Sequence, residues 1–439
     1  MIDRTATARL QRLVRWLEHF KPCFGHRAQV LSLRQYVQGV FSRAERKSMH
    51  AMLARVTAPT SYQAFQHFIT HAPWDAARVW RRLRAVIPER TGVAVLDGTT
   101  VPKHGTASVG VARQYCGTLG KIANCQAAVT LALWTGVRAW LLGAALYLPR
   151  GWMTLARRRQ VRIPSTVRFE EKWRLAVRLL RQARAAGFHV TGVVADAEFG
   201  DVSAFRTLLH RWRLPYALGI SANTTVFVGQ PRLHAPLART GGGRPRTRFT
   251  LPPGTSAQQV QRVARGLPAR AWRVITWRNG LQRPWRARFA AVRVTPAHDW
   301  RCGRLAPAVW LLCERGLPPS RRVRYYVVHL PPTVGLRALV RFAHQRWAIE
   351  QQYRDLKTGL GLDHFEGRSY PGWHHHVALT AVAYTYLQNE RRRARGESPL
   401  TFPAICAIVQ EIFTALLFAS RPRYMAWMRK VQAGFQLRL

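Results

Sequence analysis

FHVTGVVADAEFGD, residues 188–201, is the stretch that decides the fold, because a β-branched apolar run within it ends directly at an acid, Asp196. A helical pattern, with apolar residues every three or four positions, precedes it over residues 167–187 and closes at Gly187. A shorter helical pattern and the apolar run LPYALGISA, residues 214–222, follow it. Strand-like runs that alternate with helical ones predict an α/β sheet that contains parallel strands.

Upstream of this stretch, residues 93–99 (VAVLDGT) repeat its form and end at a second acid, Asp97. Two further strand-like runs, NCQAAVTLALWT at 124–135 and RAWLLGAALYLP at 138–149, stand between the two acids. The order is therefore β-β-β-α-β-α-β, which predicts a mixed α/β sheet with Asp97 and Asp196 at the ends of its first and fourth strands. In open α/β sheets, ligand chemistry gathers at the carboxyl ends of strands.

The charge balance indicates the class of partner. The chain of 439 residues holds 69 Lys and Arg against 20 Asp and Glu, a formal net charge of +49. Only seven of the basic residues are lysine, so a bias toward arginine codons explains the choice of base but not its excess over acid. A field of this sign attracts phosphate, and we expect nucleic acid rather than another polyanionic surface or membrane headgroups.

Cysteine spacing and the apolar runs indicate in which cellular compartment we expect the protein. The six cysteines show neither a CxxC pair nor zinc-finger spacing, which favours reduced thiols. The first residues lack the apolar core of a signal peptide. Residues 126–148 are predicted to be two strands, and residues 404–420, which contain Gln410 and Glu411, a buried helix rather than a membrane span. We therefore expect a soluble, cytoplasmic and nucleoid-associated protein with no membrane partner.

Pattern and composition divide the chain into regions. Beyond residue 221 the chain becomes β-like, basic and poor in acids, and RVITWRNGLQRPWRARFAAVRV at 273–294 predicts a hairpin with Asn279-Gly280 in a type I′ turn. Helical periodicity returns at 334. The predicted regions are a helical N-terminal DNA-binding region (1–90), the first part of an α/β core (91–221), a β-rich basic insertion (222–333), the return of the core with an acid-bearing helix (334–372) and a C-terminal helical region (373–439).

Asp97, Asp196 and Glu350 are the candidate catalytic and metal-binding residues. Cleavage of a phosphodiester by two metal ions needs hard oxygen ligands brought together, and carboxylates are the ligands that Mg²⁺ prefers. Acids are scarce in this chain, so one placed directly after an apolar strand is informative. The alternative for either aspartate is an ordinary cap on a turn or on the following helix.

Glu350 is predicted to lie on a DNA-facing helix stripe. At 100° per residue, Arg346, Glu350 and Lys357 fall within 40° of one another, Tyr353 joins them and Arg354 borders them. The carboxylate would bind metal and the cations would hold phosphates on either side of the cut. The alternative is an ordinary Arg–Glu pair on a solvated helix face.

Five ordered motifs carry a resemblance to a known family. The stretch RWAIEQQYRDLKTGLGLDHFEGRSYPGWHHH, residues 346–376, resembles the C-terminal signature of bacterial insertion-sequence transposases of the DDE endonuclease superfamily, in which Tyr, Arg, Glu and Lys recur at fixed spacing. This chain has Ala343 at the Tyr position and Gly98 where a second acid is common. The other similar stretches are YVQGVFSRAERKSMHAM (36–52), VLDGTTVPKHG (95–105), GVARQYCGTLGKIANCQ (110–126) and VADAEFGD (194–201).

The resemblance implies a fold and a reaction. The fold would be an RNase H-like mixed sheet with helices, interrupted by a β-rich insertion and flanked by helical terminal regions. Two Mg²⁺ ions, which Mn²⁺ could replace, would activate water to cut double-stranded DNA at the element's ends, and the freed 3′-hydroxyl would attack target DNA. A homodimer would hold the two ends together. DNA contacts are expected from Arg346, Tyr353, Arg354, Lys357 and Lys103.

Several residues and functions remain as alternatives. A catalytically silent, domesticated DNA-binding protein and a plain nuclease of the same fold would share most of these motifs. Lys103 could equally be a solvated loop lysine, and the tryptophans of 272–300 could stack on bases but are more typical of packing. The consecutive histidines 374–376 point in different directions on a helix and do not suit one metal ion. Rival acids are Glu198 and Asp201 for Asp196, and Asp363 and Glu366 for Glu350.

Overall fold

A computed structural model describes residues 4–236, 247–279, 284–320, 322–394, 400–421, 423 and 426. Its helices, in chain order, are α1 (Arg4–Glu18), α2 (Arg27–Phe41), α3 (Met49–Leu53), α4 (Tyr62–Thr70), α5 (Ala76–Val86), α6 (Leu155–Val161), α7 (Lys172–Ala185), α8 (Ala197–Gly200), α9 (Ser203–Arg211), α10 (Val260–Gly266), α11 (Leu336–Ala343), α12 (Trp347–Arg354), α13 (Tyr370–Arg393) and α14 (Phe402–Ala419).

The strands belong to one sheet. They are β1 (Thr91–Pro102), β2 (Ala112–Cys116), β3 (Lys121–Trp134), β4 (Ala139–Leu146), β5 (His189–Ala195), β6 (Tyr216–Ile220), β7 (Thr225–Val228), β8 (Gln258–Gln259), β9 (Arg273–Asn279), β10 (Pro284–Pro296), β11 (Val309–Arg315) and β12 (Val323–His329).

The core of the sheet has the strand order β4-β3-β1-β5-β6. β3 runs antiparallel to β1, whereas β5 and β6 run parallel to β1 and to each other. The helices α7 and α9 make the connections around β5 and bury their apolar faces in the core on one side of the sheet. The mixed α/β, RNase H-like fold class is confirmed. The predicted β-β-β-α-β-α-β order holds for the five core strands with α7 and α9, and the structure adds the strand β2 and the short helices α6 and α8 between them.

Local sequence explains where the first crossover helix ends and corrects where it begins. Gly187 has φ +82°, so it adopts the left-handed conformation that commonly closes a helix, as the sequence predicts. The helix α7 begins at Lys172 rather than near residue 167, with Glu171 in the N-cap position. The helix α4 begins with a side-chain cap, since the Ser61 hydroxyl accepts a hydrogen bond from the Ala64 amide at 3.2 Å.

Strands from residues 222–333 extend the core sheet instead of forming a separate one. β12 pairs antiparallel with β6, and β11, β10 and β7 follow in order. The predicted hairpin is present as β9 and β10. Its connection differs from the prediction because Asn279 pairs with Pro284, which excludes a two-residue turn centred on Asn279-Gly280; Gly280 itself lies outside the described residues. The division of the chain into domains stays a prediction.

The two ends of the chain pack together beside the sheet. α13 is buried along most of its length, against α2, α4 and α5 on one side and β4 on another. The guanidinium of Arg12 in α1 donates to both carboxylate oxygens of Glu390 in α13, at 2.7 and 2.6 Å. The ring nitrogens of His375 and His376 form hydrogen bonds with backbone carbonyls and with the Tyr36 hydroxyl, so both side chains are part of the packing of α13.

The last described helix is buried on one face only. α14 packs Phe402, Ile405, Cys406, Val409 and Phe413 into the helical core, and its other apolar residues are partly or fully exposed. Within the described residues, α14 is the helix whose length and composition would suffice to cross a membrane, and 28% of this helix is buried. The expectation of a buried helix is therefore correct for one of its faces.

Candidate active site

The sheet brings the two aspartates to the same level on neighbouring strands. Val95 of β1 pairs with Val194 of β5, and Asp97 and Asp196 each lie two residues further along their parallel chains. Adjacent strands are about 4.8 Å apart, so the two carboxylates arise from neighbouring positions. Asp97 is not at the end of its strand as predicted. It lies in the middle of β1, opposite Thr130 of β3, because β1 continues to Pro102.

Asp196 lies where β5 turns into the short helix α8. Its Oδ1 accepts a hydrogen bond from the Glu198 amide at 3.0 Å, so the residue also caps that helix. The turn fits against β6 because two glycines meet there. A Cβ on Gly200 would lie 1.8 Å from the carbonyl oxygen of Gly219, a distance no packed atom can adopt. The close approach of these two backbones therefore holds Asp196 beside the sheet.

The segment that carries Glu350 is not a uniform α-helix. A 3₁₀ turn covers His344–Arg346, α12 follows, and a π turn covers Asp355–Gly359. The predicted stripe assumed 100° per residue from Arg346 to Lys357, and that assumption is wrong at both ends. Arg346 and Glu350 still lie together. Lys357 lies in the π turn and still faces β1 beside Tyr353, since its Nζ donates to the Thr100 carbonyl at 3.4 Å and lies 5.7 Å from the centre of the Tyr353 ring.

Arg346 joins the two halves of the site. One guanidinium nitrogen, Nη2, donates to Glu350 Oε1 at 2.6 Å, and the other, Nη1, donates to Asp97 Oδ1 at 3.4 Å. The pair with Glu350 is the one that the alternative interpretation of this helix stripe described, whereas the contact of Arg346 with Asp97 was not among the predictions. A guanidinium presents several donors in a rigid plane, which allows one side chain to bridge carboxylates from different elements.

Burial and mutual repulsion govern the charges. Burial raises the pKa of Asp97 to about 7; Arg346 opposes this rise, while Asp196, Glu350 and Glu198 add to it. Burial also raises the pKa of Asp196, and the negative charge of Glu198 adds to this rise. Burial by itself would lower the pKa of Arg346, but Asp97 and Glu350 raise it above its ordinary value. The site holds more negative charge than its one bridging cation compensates.

The residues expected to contact DNA are placed differently from one another. The Tyr353 hydroxyl points toward the sheet. It lies 2.5 Å from Thr130 Oγ1 of β3 and donates a hydrogen bond to the Asp97 carbonyl of β1 at 3.3 Å. Lys357 Nζ donates to the Thr100 carbonyl at 3.4 Å. Lys103 Nζ donates to the Phe365 carbonyl, which excludes a freely solvated loop lysine. Arg354 is exposed. Contact with phosphate by these residues stays a prediction.

The rival acids have other surroundings. Asp201 accepts hydrogen bonds from the Ser221 amide at 2.9 Å and from the Thr224 hydroxyl at 3.0 Å, and so fastens the end of β6. Glu366 forms an exposed ion pair with Arg46 at 2.6 Å. Glu198, by contrast, belongs to the site, since its charge acts on both Asp97 and Asp196. Sequence reasoning treated Glu198 only as a stand-in for Asp196.

The three candidate carboxylates are chemically suitable ligands for a hard divalent cation. Asp97, Asp196 and Glu350 supply carboxylate oxygens, and the mutual repulsion that raises the pKa of Asp97 is what a bound cation would relieve. In the described part of the chain, no three His, Cys, Asp or Glu side chains are already arranged around a shared ion position. The carboxylates of Asp97 and Glu350 are turned toward Arg346, which supplies the compensating charge between them.

Comparisons with known proteins agree with this geometry. The family model for DDE superfamily endonucleases matches residues 19–284, a span that contains Asp97 and Asp196 but ends before Glu350. A probable transposase for insertion sequence element IS701 from Microchaete diplosiphon is 29% identical over 203 residues, 45% of this chain and 50% of that protein. The match spans half the length of that relative. Because the family model covers more than half of the chain, including both strand-borne aspartates, the protein belongs to the DDE superfamily endonucleases.

Proposed function

We propose that this protein is a transposase that binds the ends of an insertion sequence, cuts the DNA there with divalent metal ions and joins the freed ends to target DNA. One observation carries the proposal. Arg346 contacts both Asp97 and Glu350, and Asp97 stands level with Asp196, so three acids that are far apart along the chain lie in one region of the fold. A nuclease that uses two metal ions needs such a set of carboxylates.

The metal ions, Mg²⁺ or Mn²⁺ in its place, would be held by Asp97, Asp196 and Glu350. They would supply an activated water and stabilise the charge on the phosphate. The chain's own residues have separate parts. Asp97 and Asp196 are fixed by the sheet, Arg346 aligns Glu350 with Asp97, and exposed Arg354 lies one turn beyond Glu350, where it can bind a phosphate.

The partners and location belong to the same proposal. The net charge of +49 supports double-stranded DNA as the ligand, both transposon ends and target. A homodimer in the synaptic complex would bring two ends together, and DNA binding would place the protein in the cytoplasm on the nucleoid. The similarity to a probable transposase for an insertion sequence supports the same proposal.

The experiment compares two glutamates with nearly identical surroundings. Glu350 and Glu366 have side chains 53% and 52% exposed, and each makes an ion pair of 2.6 Å with an arginine. The full chain is incubated with Mg²⁺ or Mn²⁺ and a duplex that contains the borders of its genomic element. Wild type and Glu366→Gln should cut at the element's ends, whereas Asp97→Asn, Asp196→Asn and Glu350→Gln should lose about 10³-fold or more in rate.

The alternative of a catalytically silent DNA-binding protein has one observation in its favour. Arg346 already pairs with both Asp97 and Glu350, and the described carboxylates are not arranged around a shared ion. In that case the wild-type chain would bind the element's ends tightly and leave them intact at every metal concentration. Cutting without joining of 3′ ends to a second duplex would instead identify a plain nuclease.

A further inference from the structure

Gly98 follows the first catalytic aspartate and leaves a space beside it. Its φ angle lies outside the left-handed region, and it sits within the regular strand β1, so the backbone conformation does not require glycine. The space does. A Cβ at this position would lie 2.6 Å from Glu198 Oε2, closer than real Cβ contacts come. The absence of a side chain at Gly98 therefore admits the carboxylate of Glu198.

Glu198 reaches this space from the turn that carries Asp196. Its amide donates to Asp196 Oδ1 at 3.0 Å, which ties the backbones of the two residues together. Its other carboxylate oxygen, Oε1, forms an ion pair with Lys172 Nζ. The ammonium of Lys172 lies 5.3 Å from the centre of the Tyr147 ring, so this cation is itself held. Glu198 is thus held by Lys172 through Oε1, and its Oε2 lies beside Gly98.

The charge of Glu198 is felt by both strand-borne aspartates. For Asp97, burial, Asp196 and Glu350 each contribute more to the raised pKa than Glu198 does. For Asp196, burial contributes most to the raised pKa and Glu198 contributes next. Glu350, which the expected metal set includes, acts on Asp97 but is not among the main influences on Asp196. The geometry agrees with these influences, because the Glu198 amide contacts Asp196 and Glu198 Oε2 lies beside Gly98, the residue that follows Asp97.

We propose that Glu198 is a fourth carboxylate of the active site, placed in the space left by Gly98, and that it strengthens the binding of divalent cations by Asp97 and Asp196. This inference rests on the proposed function, since it concerns the same metal-binding site. Lys172 orients the carboxylate by its ion pair, and hard oxygen donors at this position increase the charge available to a cation.

A merely structural role for Glu198 makes different predictions. An acid in the first turn of α8 that pairs with Lys172 would stabilise the fold, but only by the small free energy that is typical of exposed ion pairs. Its loss would then lower the melting temperature of the metal-free protein and leave metal affinity unchanged. Metal affinity measured directly, together with the melting temperature, therefore separates the two roles.

The test is a calorimetric titration of the metal-free full chain with Mn²⁺ alone. Glu198→Gln should weaken Mn²⁺ binding roughly tenfold, in the range seen when groups that support metal ligands are removed. Glu171→Gln is the matched control, because Glu171 is a neighbouring exposed acid that pairs with Arg174 at 3.4 Å. It should change the affinity by less than about twofold. Asp97→Asn should show the largest loss and thereby marks the site being titrated.

A second variant tests position rather than charge alone. Glu198→Ala combined with Gly98→Asp moves a carboxylate from the α8 turn to β1, into the space that Glu198 vacates. The pair should recover most of the Mn²⁺ affinity that Glu198→Ala loses. Affinity unchanged in Glu198→Gln while Asp97→Asn abolishes binding would overturn the role of Glu198 alone. A wild-type chain that binds no Mn²⁺ would overturn both this inference and the proposed metal-dependent function.

Discussion

The two strand-borne acids and the helix-borne acid are held in different ways. Asp97 and Asp196 come from paired parallel strands, are largely buried and have raised pKa values. Glu350 is half-exposed and is held by one side chain, Arg346, on a segment that changes from 3₁₀ to α to π winding. The two aspartates, which form the strand half of the site, are thus buried at a cost in stability, whereas the Glu350 side chain, in the helix half, is half-exposed and can change its orientation at little cost. A site of this kind keeps two ligands fixed and one adjustable.

The largest expected loss of stability concerns the contact between two glycines that positions Asp196. Gly200→Ala places a Cβ 1.8 Å from the Gly219 carbonyl oxygen, so the β5–α8 turn must move. The free energy of unfolding should fall by about 3 kcal/mol in denaturant titrations. Gly266→Ala is the control, because no atom lies within 4 Å of its Cβ and the residue ends a helix. Equal stability of the two variants would mean that the strand half is not rigidly packed.

The bridging arginine gives the next effect. Arg346→Ala leaves the buried Asp97 carboxylate without its cation, and the metal-free protein should lose about 2 kcal/mol of stability. Adding Asp97→Asn should restore most of this loss, since the uncompensated charge is then gone. Arg46→Ala, which breaks the exposed pair with Glu366, should cost less than about 0.5 kcal/mol. Additive losses in the double variant would show that Arg346 does not compensate Asp97.

A pH-dependent cost is expected in the π turn of the helix half. Burial raises the pKa of Asp355 to about 6, although the Gln351 amide donates to it at 3.0 Å. Because the folded-state pKa lies above the unfolded value, ionisation destabilises the fold as pH rises from about 4 through 6. Asp355→Asn should match wild type at pH 4 and exceed it by about 1–2 kcal/mol at pH 8. A constant difference in stability across this range would contradict the assignment.

The smallest effect is expected at Glu350 itself. Glu350→Gln removes an exposed pair with Arg346, which is worth only a few tenths of a kcal/mol, so the free energy of unfolding should change by less than about 0.5 kcal/mol. Thermal or chemical unfolding of the metal-free chain measures this directly. A loss as large as that of Arg346→Ala would show that the helix half is as tightly coupled to the sheet as the strand half.

The same contrast explains what could be predicted from the sequence. The strands that carry Asp97 and Asp196 are apolar runs followed by acids, and their period and order predict the core sheet directly. The position of Asp97 within β1 was missed because Gly98 and the two threonines after it interrupt the apolar run, although the backbone continues to pair with β3 as far as Pro102. Pairing between distant strands decides that length, and a local pattern does not contain it.

The helix half was harder to predict because its winding is not uniform. Spacing of i, i+4 and i+11 places Arg346, Glu350 and Lys357 on one stripe only in a regular α-helix, and the π turn over Asp355–Gly359 breaks that regularity. The contact of Arg346 with Asp97 spans 249 residues and follows from the packing of α12 on β1. Glu198 could have been found from its proximity in sequence to Asp196 and from the glycine at position 98.

The most direct test of the central claim is the anomalous scattering of Mn²⁺ in crystals of the full chain bound to a duplex of its element's end. The account predicts a peak in contact with carboxylate oxygens of Asp97 and Asp196, and the loss of that peak in Asp97→Asn. A Mn²⁺ peak elsewhere in the protein, with Arg346 still bridging Asp97 and Glu350 and no ion between the aspartates, would contradict it.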